Sequence, residues 1–87
     1  MQKKLTIKSD EGIQAGSAQL LVQVAGKFSS AIWIEQGSKR VNAKSIMGVL
    51  SLRLRRGDSF FITAVGSDEA AAMEAVTRLI ENGEAGV

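Results

Sequence analysis

Val41-Asn42-Ala43-Lys44-Ser45-Ile46-Met47-Gly48-Val49-Leu50-Ser51-Leu52 is the stretch on which the reading of this chain turns. Its first residues finish a short strand, and Ser45 then heads a short helix running to about Leu52 or Arg53. Ile46, Met47, Val49, Leu50 and Leu52 give that helix more apolar residues than one buried stripe accommodates. Part of its surface is therefore expected to stay exposed, as contact sites on soluble proteins do.

Towards the N-terminus, the turn Gln36-Gly37-Ser38-Lys39 joins a strand at Ala31-Ile32-Trp33-Ile34-Glu35 to Arg40-Val41-Asn42, which predicts a hairpin. With Ile32 and Ile34 inward, Trp33 faces out. Phe28 covers the core edge where the chain turns at Ser29-Ser30. Before it, Ala18, Leu21, Val22 and Ala25 recur at three and four, predicting a helix that ends at or just past Gly26, with Leu20 and Val24 off the stripe and partly exposed. Gln14 to Ser17 open that helix, either Ser17 or Gln14 serving as its N-cap. Ser9-Asp10-Glu11-Gly12 supplies a turn, and Leu5-Thr6-Ile7-Lys8 alternates at period two as a strand with Leu5 and Ile7 inward.

Towards the C-terminus, Arg55-Arg56-Gly57-Asp58 is a charged turn, and Phe60 to Val65 a fourth strand with Phe60, Ile62 and Ala64 inward. Ser67 is expected to cap a last helix whose core face is Ala72, Met73, Val76, Leu79 and Ile80, with Glu74 and Arg78 paired outside and Gly83 at its end. The order is βαββαβα. It implies an α+β open-faced sandwich: a four-stranded antiparallel sheet with helices on one face, and Trp33, Phe61 and Val65 on the other.

The 87 residues read as one domain, 1–87, large enough for one modest core. No apolar run nears the ~20 residues that span a bilayer, and the N-terminus does not lead into a signal-peptide segment, so a cytoplasmic protein without a membrane partner is expected. The chain has neither cysteine nor histidine. Thiolate chemistry is thereby excluded, and the commonest acid/base group and metal ligand is missing. Asp10, Glu11, Asp68 and Glu69 form no metal or catalytic carboxylate pattern, so no metal and no cofactor are expected. A net charge of +2 implies no nucleic acid, and Lys39, Arg40, Arg53, Arg55 and Arg56 read as solvated turns.

In length, element order and motif the chain resembles the HPr family, the small phosphocarrier proteins of the bacterial sugar phosphotransferase system. The most specific match is Lys44-Ser45-Ile46-Met47-Gly48-Val49, preceded by Val41-Asn42. In Gram-positive members the corresponding serine is phosphorylated by HPr kinase/phosphorylase. The family's other signature, a Gly-Ile-His-Ala-Arg-Pro-Ala loop with the phosphocarrier histidine, is matched by Gly12, Ile13, Gln14, Ala15, Gly16, Ser17 and Ala18. Gln14 thus replaces the histidine, Gly16 the arginine and Ser17 the proline. An amide is no nucleophile toward phosphoryl at neutral pH, so the relay cannot run through this chain.

A glutamine at that position is similar to Crh, the paralogue that acts only through its regulatory serine as a partner of the catabolite control protein. The resemblance therefore implies a non-enzymatic regulator of carbon catabolite control, switched at Ser45, whose partners are HPr kinase/phosphorylase and that transcription regulator. It also implies a docking patch at Ile46, Met47, Leu50 and Leu20. Each signal has a plainer counterpart. Ser45 is also a good N-cap, worth about 1 kcal/mol. The apolar residues also serve as core, and Gln14 is equally a loop or cap residue. Trp33 and Phe61 are either incidental edge contacts or, side by side on neighbouring strands, a surface for homodimerisation. Crh keeps the loop arginine and proline that this chain lacks, which leaves open a divergent HPr-fold interaction module outside the phosphotransferase system.

Overall fold

A computed structural model describes residues 1–82. Its elements run β1 (Gln2–Thr6), α1 (Ala15–Gly26), β2 (Ala31–Gln36), β3 (Lys39–Asn42), α2 (Ile46–Ser51), β4 (Ser59–Val65) and α3 (Glu69–Asn82), the expected βαββαβα order. The four strands form one antiparallel sheet in the order β1-β4-β2-β3. The inward residues of β1, β2 and β4, Leu5, Ile32, Ile34, Phe60, Ile62 and Ala64, meet Ala18, Leu21 and Ala25 of α1 and Ala72, Val76 and Leu79 of α3 in one buried cluster. Burying each of the larger side chains, those of Leu, Ile, Val and Phe, stabilises the fold by ~1.5–3 kcal/mol. The end expected for α3 at Gly83 lies outside the described residues.

Tertiary pairing changes four local expectations. β1 begins at Gln2 rather than Leu5, because the register carries pairing with β4 back to Gln2 opposite Thr63; Ile7 lies just past the strand, its N–H donating to Asp58 O at 2.9 Å. Val24 is buried, at 4% exposure, because α1 packs against both α2 and α3 as well as the sheet, widening its covered arc beyond one stripe. Ser67 does not cap α3. Asp68 precedes the helix, and its carboxylate is turned away to accept the main-chain N–H groups of Ser29 (2.9 Å) and Ser30 (3.0 Å) and the Ser30 hydroxyl. Finally, Trp33 and Phe61 are offset: Trp33 lies opposite Thr63, and Phe61 opposite Glu35.

Candidate functional site

At the end of β3 the chain turns on Asn42. Its carboxamide oxygen accepts the Lys44 N–H at 2.8 Å and its carbonyl accepts the Ser45 N–H at 3.0 Å, an Asx-type turn that stops the strand. Ser45 emerges extended, at φ −111° and ψ 115°, and its hydroxyl oxygen accepts the Gly48 N–H at 3.2 Å. It is thus the N-cap of α2, half-buried, and its carbonyl accepts the first helical bond from Val49 N–H at 3.0 Å. Gly48 leaves room for that hydroxyl, since a Cβ there would sit 3.3 Å from both Ser45 Oγ and Val41 Cβ. The preceding Lys44 sends its ammonium to the carbonyl of Phe28 at 2.8 Å, tying the head of α2 to the end of α1.

Along α2, Val49 is buried and Leu50 half-buried, whereas Ile46 and Met47 stand out at 38% and 78% exposure. The two exposed apolar residues directly follow Ser45, so any change of charge at its hydroxyl falls on their border. Leu20 is also exposed, but it opens onto a separate cleft of about 280 Å³ with Ile7, Ile13, Ser17, Leu79 and Ile80, on the α3 side of α1. No residue of α2 lines that cleft. The cleft was not legible, because its walls come from two stretches, 7–20 and 79–81, far apart in the sequence.

The 12–17 loop starts at Gly12, which is buried with φ +67°; a Cβ there would lie 2.5 Å from Leu54 O, so the close approach of the two segments requires glycine. Ile13 N–H donates to that same carbonyl at 2.9 Å. Between the two caps left open, Gln14 is the N-cap of α1, and Ser17 closes the turn from inside by accepting the Gln14 N–H at 2.9 Å. The exposed Gln14 amide donates to Glu11 O at 3.1 Å, and Gly16 faces open space. Nothing in this arrangement makes the amide nucleophilic. Among the described residues no group of three or more Asp, Glu, His or Cys is placed to hold a metal ion.

On the open face of the sheet Phe61 and Val65 are exposed, at 43% and 57%, and the Arg40 guanidinium lies over the half-buried Trp33 ring, 4.4 Å from its centroid. Such a contact is worth about 0.5–1 kcal/mol at an exposed site. Reading the hairpin register through its two-residue Gly37-Ser38 turn, with Gln36 opposite Lys39, would have placed Arg40 opposite Glu35, on the face of Trp33 and diagonal to it.

Fold and loops together define a small α+β protein of the HPr type. The chain matches the family described as PTS HPr component phosphorylation site over residues 1–82, and it belongs to the HPr family. It is 44% identical to the HPr-like protein Crh of Halalkalibacterium halodurans over 81 residues, which cover 93% of this chain and 96% of that protein. Among solved structures it is similar to an HPr of Thermoanaerobacter tengcongensis, at TM-score 0.91 and 45% identity over 97% of both chains. It is also similar to Crh of Bacillus subtilis, an intertwined, domain-swapped dimer, at TM-score 0.77 and 38% identity over 94% of both chains. Among the described residues no helix is long and apolar enough to cross a membrane.

Proposed function

We propose that this protein is a non-catalytic, Crh-like regulator of carbon catabolite control that works in the cytoplasm by protein contact and is switched by phosphorylation of Ser45. The observation that carries this reading is the pairing of an intact serine head on α2, bordered by exposed Ile46 and Met47, with an amide at Gln14 where the phosphocarrier histidine would stand. HPr kinase/phosphorylase would transfer the γ-phosphoryl of ATP to Ser45 Oγ. An O–P bond forms, ADP leaves, and the hydroxyl proton passes to a base of the kinase. The product carries about −1.5 to −2 charge beside the apolar pair. The docking surface for the catabolite control protein is then Ile46, Met47 and Leu50 of α2 with Leu20 of the adjoining α1, which also opens onto the cleft beside α3. The dimeric Crh of Bacillus subtilis supports homodimerisation as a further property.

The test is incubation with HPr kinase and ATP, which should add one phosphate to the parent chain and none to Ser45→Ala. A parallel incubation with enzyme I and phosphoenolpyruvate should label neither. Unlabelled parent protein in the first arm would remove the regulatory reading. In its place would stand an interaction module outside the phosphotransferase system, a second reading favoured by Gly16 and Ser17 at the positions of the loop arginine and proline.

A further inference from the structure

The open face of the sheet has a centre. Phe61 of β4, 43% exposed, lies directly opposite Lys4 of β1 on one side and Glu35 of β2 on the other. Directly paired residues of antiparallel strands share a face, so from β1 to β2 the row reads cation, aromatic ring, anion, and Arg40 of β3, opposite Glu35, ends it. Among the described residues neither Lys4 nor Glu35 takes part in an ion pair. The Glu35 carboxylate accepts only the Thr63 hydroxyl, at 3.4 Å, and Arg40, its neighbour on β3, is held over Trp33.

Such a row is complementary to itself under one operation. A two-fold axis lying between two facing sheets and running along β4 stacks Phe61 on the partner's Phe61, and sets Lys4 against the partner's Glu35 twice. The alternative axis, running across the strands, would put Lys4 on Lys4 and Glu35 on Glu35. Both axes keep the strands of the two sheets aligned, as twisted sheets pack at about −30°, so it is the charges that favour the first. We propose that this face is the contact between two copies of the chain, arranged about an axis parallel to β4.

The face is small. Seven residues at ~3.4 Å and the three strands that overlap about this axis, β1, β4 and β2, at ~4.8 Å outline roughly 340 Å², below the ~800 Å² per partner of a tight complex, so the dimer is weak and depends on protein concentration. Its charges choose the geometry more than they add affinity. The inference rests on the self-association part of the reading above and is independent of Ser45 labelling.

Sedimentation equilibrium of the full chain at rising concentration tests it, with Phe61→Thr, Lys4→Glu, Glu35→Lys and the double reversal Lys4→Glu/Glu35→Lys beside the parent. The parent should shift towards the dimer mass, and each single variant should weaken association about tenfold or more. The double reversal should return to near the parent's affinity, and added salt should weaken the parent. All three positions lie on the open sheet face, and circular dichroism of each variant confirms that it is folded. A parent that stays monomeric overturns both the proposal and self-association itself. A dimer indifferent to Phe61→Thr, or one that the double reversal fails to restore, overturns the sheet-face contact alone and points to strand exchange.

Discussion

The carboxylate of Asp68 and the main chain of Ser30, 38 residues apart, are joined by a 3.0 Å hydrogen bond that fixes the start of α3 to the start of β2. Ser30 is buried, and the same carboxylate takes its hydroxyl and the N–H of Ser29. The Ser30 hydroxyl first, then the Ser29 and Ser30 N–H groups, all favour the ionised form and bring the Asp68 pKa from an ordinary 3.8 down to about 2.

A carboxylate with a lowered folded-state pKa binds its proton more readily when unfolded. Its contribution to stability is therefore fully present above about pH 4 and is lost as pH falls towards 2. The measurement is melting temperature against pH for the parent and Asp68→Asn. The parent should be the more stable at pH 5 and above, with the gap closing between about pH 4 and 2. A gap that stays constant across that range would show that the charge of Asp68 plays no part.

Ser45 has a structural duty apart from any modification. Because its hydroxyl caps α2 through Gly48 N–H, Ser45→Ala should cost about 1 kcal/mol, whereas Ser45→Asp, whose carboxylate can cap equally well, should stay within about 0.5 kcal/mol of the parent. Urea unfolding gives both values. No loss in Ser45→Ala would mean that the cap contributes nothing, and binding defects of that variant would then owe nothing to a loosened α2.

Two neighbouring apolar residues of α1 should behave oppositely. Val24 is buried at 4% exposure, so Val24→Ala leaves a cavity and should cost about 2 kcal/mol; Leu20, at 41%, should cost about 0.5 kcal/mol or less when cut to alanine. The larger residue is thus the cheaper to truncate. The same urea titrations decide it.

Why Val24 escaped the sequence pattern is a matter of tertiary cover. A three-four repeat identifies the stripe that faces one surface, and it located Ala18, Leu21 and Ala25; it cannot register that a third element, α3, closes over the helix flank. Strands are more readily read, since alternation at Ile32-Ile34 and Phe60-Ile62-Ala64 reports a sheet with one wet face directly. Gln2-Lys3-Lys4 carries no such alternation and becomes a strand only because β4 offers an unpaired edge. In the candidate site the cap at Ser45 and the exposed Met47 follow from local chemistry, and both were legible. The side of α1 on which Leu20 opens depends on where α3 ends, and the stacking of Arg40 on Trp33 depends on hairpin register. The Asp68 clamp joins segments 38 residues apart, with nothing local to announce it.

The exit of α2 carries strain that a single substitution should relieve. Arg53 has φ +50°, the left-handed conformation that commonly ends a helix and that glycine adopts without penalty. Its N–H donates to Leu50 O at 3.1 Å, and the side chain is exposed, so the backbone needs this conformation while the guanidinium has no ion-pair partner among the described residues. A non-glycine residue pays about 1–2 kcal/mol there, and the greater freedom of glycine in the unfolded chain returns part of the gain. Arg53→Gly should therefore raise stability by about 0.5–1 kcal/mol in urea unfolding, with labelling of Ser45 by HPr kinase unchanged. Destabilisation instead would mean that the arginine side chain holds the end of α2 through its aliphatic stem. In that case Arg53→Met, which keeps much of the stem and drops the charge, should recover the parent's stability.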